Sequence, residues 1–255
     1  MTSSVENNKG KANHPTDTPK ILAIIATYNE KENICALIER LLSLPLDLCV
    51  LIVDDNSPDG TPDAISASFS TNSRVNLIVR DTDKGYGKAM IAGMQWALAK
   101  DFDTIVTLDA DFSHDPKSIP SLVEATGNHD VAIGSRYIHG VRVSNWRFSR
   151  LLISMLANWY VRTILGMRIV DCTSGFRAYR AHVFRGVDLS GIRSSGYSFL
   201  VELLYTLYRR KFGITEVPIT YWERREGQSK MSKRIILEAV WRPVFLRLRS
   251  LVGKS

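Results

Sequence analysis

Apolar residues run through this chain in two rhythms. Short unbroken runs rich in β-branched side chains stand at 21–26, 49–53, 75–79, 104–108 and 131–133, the pattern of strands buried on both faces. Between and after the first four, apolar residues return every three to four positions at 31–42, 61–69, 89–100 and 116–125, which predicts helices. Alternation of this kind predicts an α/β fold with a mostly parallel sheet, right-handed crossovers and helices on both faces. Pro62 just inside the second helix, with Asp59 and Thr61 around it, marks an N-terminus. Asn29 with Glu32 three residues on reads as a capping box for the first helix.

After Gly134 the pattern changes. Residues 147–165 predict a helix with apolar residues nearly all round it and arginines at both ends; 197–209 predict another, followed by a strand at 214–221. The polar loop ERREGQSKMS leads into a last helical stretch. There Trp241, Phe245, Leu248 and Val252 follow i, i+4, i+7, i+11, with Arg242, Arg247 and Arg249 off that stripe, and Pro243 is expected to break or kink it. Residues 1–20 are polar and are expected to form a disordered leader. Residues 21–230 then form one α/β unit, and 231–255 a basic amphipathic tail.

Composition narrows the compartment and the partners. The net charge of +7 is uneven: residues 230–255 carry seven Lys or Arg against Glu238 alone, and six arginines but no acidic residue fall between 136 and 170. Basic residues interleaved with Trp and Leu in amphipathic order suit an anionic lipid surface better than nucleic acid. The stretch 151–161 is uncharged for eleven residues, whereas a membrane span needs about twenty. No segment is expected to cross a bilayer. Cys35, Cys49 and Cys172 are odd in number and far apart, which points to a reducing, cytoplasmic compartment.

The candidate chemistry sits where the predicted strands end. Asp109 and Asp111 close the strand in TIVTLDADFSHDP; alternation would put both on one face, and paired carboxylates invite a hard divalent cation such as Mg²⁺ or Mn²⁺. The competing reading is that Asp111 or Ser113 caps the next helix. A second carboxylate-rich strand end, VDDNSPDG at 53–60, suits a nucleoside and equally suits a turn. Tyr28 and Glu30 in ATYNE leave the first strand and could meet a base and a ribose. The two glycines of Lys84-Gly85-Tyr86-Gly87-Lys88 follow the third strand and lack the third glycine of a dinucleotide loop. Walker A, His-Glu-x-x-His and Gly-x-Ser-x-Gly patterns are absent. Arg136, Arg177, Arg224 and Lys230 fall at strand ends or in loops, where cations suit phosphates.

The ordered set TYNE, VDDNSPDG, DADFSHDP, GSRY, the segment 145–158, DCTSGFRAYR and ERREGQSKM resembles the family 2 glycosyltransferases of GT-A fold. It resembles the dolichyl- and polyprenyl-phosphate mannosyltransferases most closely, over residues 21–241. The resemblance implies a GDP-mannose donor, Mg²⁺ or Mn²⁺, and a polyprenyl or dolichyl phosphate acceptor. It also implies residence on the cytoplasmic face of a membrane, alone or through a membrane-anchoring partner, and no nucleic-acid partner. Position by position it implies nucleoside contacts from Tyr28, Glu30, Val53 and Asp55. Diphosphate contacts would come from Asp109, Ala110 and Asp111, and metal ligation from Asp109, Asp111 and Ser113. Arg136, Arg224 and Lys230 would meet phosphates, with Arg136, Arg150 and Arg224 on the acceptor; Asp111, Arg136, Arg224 and Lys230 would carry catalysis. Ala26 departs from the proline typical of relatives, and Ser113 from the glutamine of some. The sugar pocket is not legible, so a glucosyl donor carried by UDP or GDP remains the alternative.

Overall fold

The structure, a computed structural model, describes residues 19–194, 196–223 and 233–252. The leader through residue 18 and the loop 224–232, with Arg224 and Lys230, lie outside the described residues. The first half follows the expected alternation: β1 (Ile21–Thr27), α1 (Lys31–Leu42), β2 (Leu48–Asp54), α2 (Thr61–Phe69), β3 (Val75–Val79), α3 (Tyr86–Ala99) and β4 (Thr104–Thr107). A short 3₁₀ turn leads into α4 (Ile119–Ala125), then β5 (Val131–Ser135) and the two-residue β6 (Val143–Ser144). The second half holds α5 (Phe148–Leu165), β7 (Arg177–Arg180), α6 (His182–Arg185), α7 (Gly196–Arg209), β8 (Ile214–Pro218), β9 (Tyr221–Trp222) and α8 (Lys233–Leu251).

Seven strands make one sheet in the order β3-β2-β1-β4-β7-β5-β8, and β6 pairs with β9 in a small parallel ribbon. β7 alone runs antiparallel, against both β4 and β5. Its sequence, RAYR, is too short and too charged for an apolar-run search to find. The register is set by alternation of apolar side chains across the two faces. Leu22, Ile24, Leu51, Val53 and Ile105 face α3 and α7, whereas Ile21, Ala23, Ile25, Val50 and Ile52 face α1, α2 and α4. Gly93 lets α3 approach closely: a Cβ there would stand 2.6 Å from Ile24 Cγ2.

Three expectations change. The strand expected at 214–221 divides into β8 and β9: Ile219 N–H still bonds the Ser135 carbonyl at 3.0 Å, and Tyr221–Trp222 then pair with β6 instead of β5. The capping box does not form. Asn29 adopts a left-handed φ of 59°, and the first amides of α1 are held from the loop after β2, Lys31 N–H by Asp59 Oδ2 at 3.1 Å and Glu30 N–H by Thr61 Oγ1 at 3.1 Å. α8 also continues through Pro243. Tertiary contacts carry it across: Tyr160 of α5 donates to the Val240 carbonyl at 2.6 Å, and Arg242 pairs with Glu202 of α7.

That pairing decides which side of α8 is buried. Arg242 is buried, its Nη2 donating to both Glu202 oxygens at 3.0 and 2.9 Å, while Trp241, Phe245, Leu248 and Val252 lie in solvent. Leu246 joins the main core, so the tail expected as a separate element is packed on α5 and α7. Beside it α5 exposes Phe148, Leu152, Ile153, Leu156 and Trp159. Two adjacent helices thus turn apolar faces outward. Among the described residues no helix is long and apolar enough to cross a membrane.

Candidate active site

The carboxyl ends of β1, β2, β4 and β5 gather the expected residues at one edge of the sheet, the position where open α/β sheets hold ligands. The loops after β1 and β2 are bound to each other through Asp54. This fully buried carboxylate accepts from Thr27 Oγ1 at 2.6 Å and from Ser57 N and Oγ at 2.7 Å, and Ser57 Oγ in turn accepts Asn29 N–H at 3.0 Å. Most of VDDNSPDG is therefore scaffold, and the Asp55 carboxylate is held from outside that turn. Asp55 accepts Gly85 N–H at 2.5 Å, and its Oδ1 lies 3.1 Å from Arg80 Nη1 without hydrogen-bond alignment. A buried oxygen in that condition suits a ligand N–H. Val53 is a core side chain with no exposure, so only its backbone can meet a nucleoside. Tyr28 is 44% exposed at the same edge.

Asp109 and Asp111 do not sit on the strand. β4 ends at Thr107, and the residues after it follow bends, with Phe112 at a φ of 60°, so strand alternation does not aim them. Asp109 remains part exposed, whereas Asp111 is buried and accepts Ser113 N–H at 3.1 Å. Neither Asp111 nor Ser113 caps the next turn; Asp115 does, accepting Lys117 N–H at 3.0 Å. Among the described residues no three His, Cys, Asp or Glu side chains gather as a metal set. Asp111, with Asp109 two residues before it, does accept the N–H of the buried Ser113, whose hydroxyl has no hydrogen-bond partner. That set fits a divalent cation whose other ligands are phosphate oxygens.

His114 lies fully within this loop. Its Nδ1 accepts Asp109 N–H at 3.1 Å, and its ring stacks on Phe176 at 4.9 Å. Burial pushes its pKa below the usual range against the pull of Asp109 and Asp111, so the imidazole is neutral with its proton on Nε2. Burial likewise pushes the Cys172 thiol up to about 12, which removes it as a nucleophile.

Arg136 and Arg177 are committed within the protein. Arg136 donates Nε to Asp171 Oδ2 and Nη2 to Asp171 Oδ1, both at 2.7 Å, and Nη2 also to Thr173 Oγ1. Tyr137, Trp146 and Tyr221 surround its guanidinium at 5.2–5.8 Å. Burial alone would raise the Asp171 pKa, but Arg136 holds it below the ordinary carboxylate range. The fork expected on phosphate is thus closed on a carboxylate, and what reaches the site is its residual charge. Arg177, fully buried, donates to the carbonyls of Ser174, Leu200 and Cys172 and orders the DCTSG turn. Arg150, in the first turn of α5, lies 4.2 Å over Trp146 and 3.2 Å from Glu223.

The sequence reading missed Tyr86 and Gly175. A Cβ on Gly175 would stand 3.2 Å from Tyr86 Oη and 3.6 Å from Asp109 Oδ1, so this glycine brings the phenol and carboxylate to one point. The glycine pair around Tyr86 was the available signal.

The mostly parallel sheet, with one antiparallel strand among the described residues and carboxylates at its strand ends, matches the GT-A glycosyltransferase fold. The chain belongs to glycosyl transferase family 2, whose profile matches residues 22–187. It is 43% identical over 221 residues to the undecaprenyl-phosphate mannosyltransferase of Micrococcus luteus, covering 87% of this chain and 91% of that one. It is 40% identical over 242 residues to the polyprenol monophosphomannose synthase of Mycolicibacterium smegmatis, covering 93% and 91%. A dolichol-phosphate mannosyltransferase of Pyrococcus furiosus is 39% identical over 86% of this chain and 61% of its own length. The fold is shared with glucosyl-3-phosphoglycerate synthase of Mycobacterium tuberculosis, solved with Mn²⁺ and UDP, at a TM-score of 0.64 and 18% identity over 93% of this chain and 81% of that one.

Proposed function

We propose that this glycosyltransferase moves mannose from GDP-mannose to a polyprenyl or dolichyl phosphate with inversion. The bond from the anomeric carbon to the β-phosphate oxygen breaks, its electron pair leaves with GDP, and an acceptor phosphate oxygen bonds the opposite face. The observation that carries this reading is a site with carboxylates for a donor diphosphate and a neutral, internally bonded histidine in place of a general base. An acceptor phosphate is already anionic at neutral pH and needs no such base. The similarity to prenyl-phosphate mannosyltransferases over nearly the whole chain supports the same acceptor.

Tyr28, Glu30, Asp55 and the Val53 backbone would hold the guanosine. Asp109, Asp111, Ser113 and the Ala110 backbone would hold the diphosphate and Mg²⁺ or Mn²⁺, which when bound relieves charge on the leaving GDP. Arg150, Arg224 and Lys230, backed by the charge of Arg136, would bring the acceptor phosphate to the donor against mutual repulsion. Labelled GDP-mannose with a short polyprenyl phosphate, with and without EDTA, tests the reading, with UDP-glucose as the competing donor. Lipid-linked glucose in place of mannose would overturn it.

Arg224→Ala is expected to cost more in turnover than in donor affinity, about a hundredfold or roughly 3 kcal/mol. Donor titration beside steady-state kinetics checks this; lost GDP-mannose binding with kcat preserved counts against the role.

The outward apolar faces of α5 and α8, flanked by Arg147, Arg247 and Arg249, fit the headgroup boundary of an anionic, cytoplasm-facing leaflet. Full-length protein is expected to float with anionic liposomes at low salt, and a truncation after Met231 to float less. Protein that stays at the bottom would mean that a membrane-embedded partner delivers the acceptor.

A further inference from the structure

His114 joins two parts of the site that come from distant stretches of chain. On one side its Nδ1 accepts the Asp109 N–H. On the other its ring stands edge-on to Tyr221, at 5.4 Å and 79°, and the two residues form a backbone bridge. Trp222 N–H adds a bond to the Ser113 carbonyl at 3.1 Å. Contacts continue outward from there. Tyr221 meets Trp146 edge-on at 5.3 Å, Arg136 lies over both rings, and Arg150 covers Trp146 and pairs with Glu223. An unbroken series of rings and cations therefore runs from the carboxylate loop to Arg150.

Histidine itself is buried at 2% exposure and cannot touch a substrate. Packing alone would be met by phenylalanine, which has no polar nitrogen to bury. What imidazole adds is an acceptor for the Asp109 N–H, which would otherwise lose its partner.

We propose that His114 is a positioning residue with two separable roles: Nδ1 fixes the Asp109 peptide and so the carboxylate pair, and the ring seats Tyr221 and so the Trp146–Arg150 wall. This deepens the reading given under Proposed function and rests on it for the naming of donor and acceptor sides. His114→Asn keeps an acceptor near the Nδ1 position and removes the ring; His114→Phe does the reverse.

Two measurements on the full chain separate them: calorimetric binding of Mn²⁺ with GDP, or with UDP if GDP does not bind, and hydrogen exchange of peptides covering 142–146 and 219–223. For His114→Asn, exchange in those peptides is expected to quicken about tenfold and the KM for polyprenyl phosphate to rise similarly, with nucleotide affinity kept within about threefold. For His114→Phe, nucleotide affinity is expected to fall about tenfold while exchange stays within about twofold of wild type. Tyr221→Leu should reproduce the His114→Asn exchange pattern without touching the histidine, which keeps the test decisive if His114→Asn fails to fold. Both histidine variants shifting both readings alike would reduce His114 to packing, and neither shifting either would remove it from the site; each result overturns the proposal. A wild-type enzyme that binds nucleotide but makes no lipid-linked mannose would refute the functional reading and leave these two measurements to decide the positioning role.

Discussion

Asp111→Ala is expected to lower turnover by about a thousandfold, on the order of 4 kcal/mol in the barrier, while the protein stays folded. Asp111 is buried at the end of the β4 loop, and the alanine side chain leaves Asp109 as the remaining carboxylate of the pair. The divalent cation that the pair would hold would then be bound poorly, and with it would go the positive charge that balances the departing diphosphate. The structural cost is small by comparison: the Ser113 N–H bond at 3.1 Å is lost, at about 1 kcal/mol. Single-turnover rates with Mg²⁺ and Mn²⁺, beside a thermal unfolding curve, check both halves. Near-normal turnover in either metal would remove Asp111 from the site, and an unfolded variant would make it a structural residue.

Asp171→Ala should act in the opposite way, through stability. The carboxylate is fully buried and accepts the Nε, Nη2 and backbone N–H of Arg136 at 2.7–3.0 Å. Removing it leaves an almost fully buried guanidinium unbalanced, at a cost of about 3–5 kcal/mol, or roughly 10 °C in melting temperature for a chain of this size. Replacing both partners by apolar residues, Arg136→Met with Asp171→Leu, should recover much of that loss because no charge is left buried. Urea titration of the single and double variants measures the difference, and a single-variant loss under about 1 kcal/mol would contradict the burial of the pair.

The pair also has a pH signature. Asp171 is depressed in the folded state, so its contribution is fully present above the unfolded carboxylate value of about 4 and is lost as pH falls through the folded value. Asp171→Asn should therefore lack part of the wild-type loss of stability below about pH 4.

The parallel half of this protein could be read from its sequence because β1, β2, β4 and β5 are buried on both faces. Each of those strands had to be an apolar run and each crossover a periodic helix, so residues 21–133 were legible almost element by element. The strand ends were legible for the same reason: carboxylates such as Asp55, Asp109 and Asp111 stand out where an apolar run stops. The second half was less so. β7 owes its place to pairing with β4 and β5, and α8 passes through Pro243 because Tyr160 and Glu202, from other helices, hold that turn.

Charged residues were the hardest to assign. Arg136, Arg150, Arg177 and Arg242 look alike in the sequence, yet one closes on Asp171, one lies over Trp146, one is held by three carbonyls and one is buried against Glu202. Hydrophobic periodicity determined the sheet, its helices and the edge where its strands end in carboxylates, because burial is a local property of each segment. Which arginine is scaffold, how each carboxylate is held, and that Arg242 anchors α8 on Glu202 were decided only in the tertiary structure. A charge is satisfied by whatever distant residue the fold brings within about 3 Å, and no local pattern records that partner.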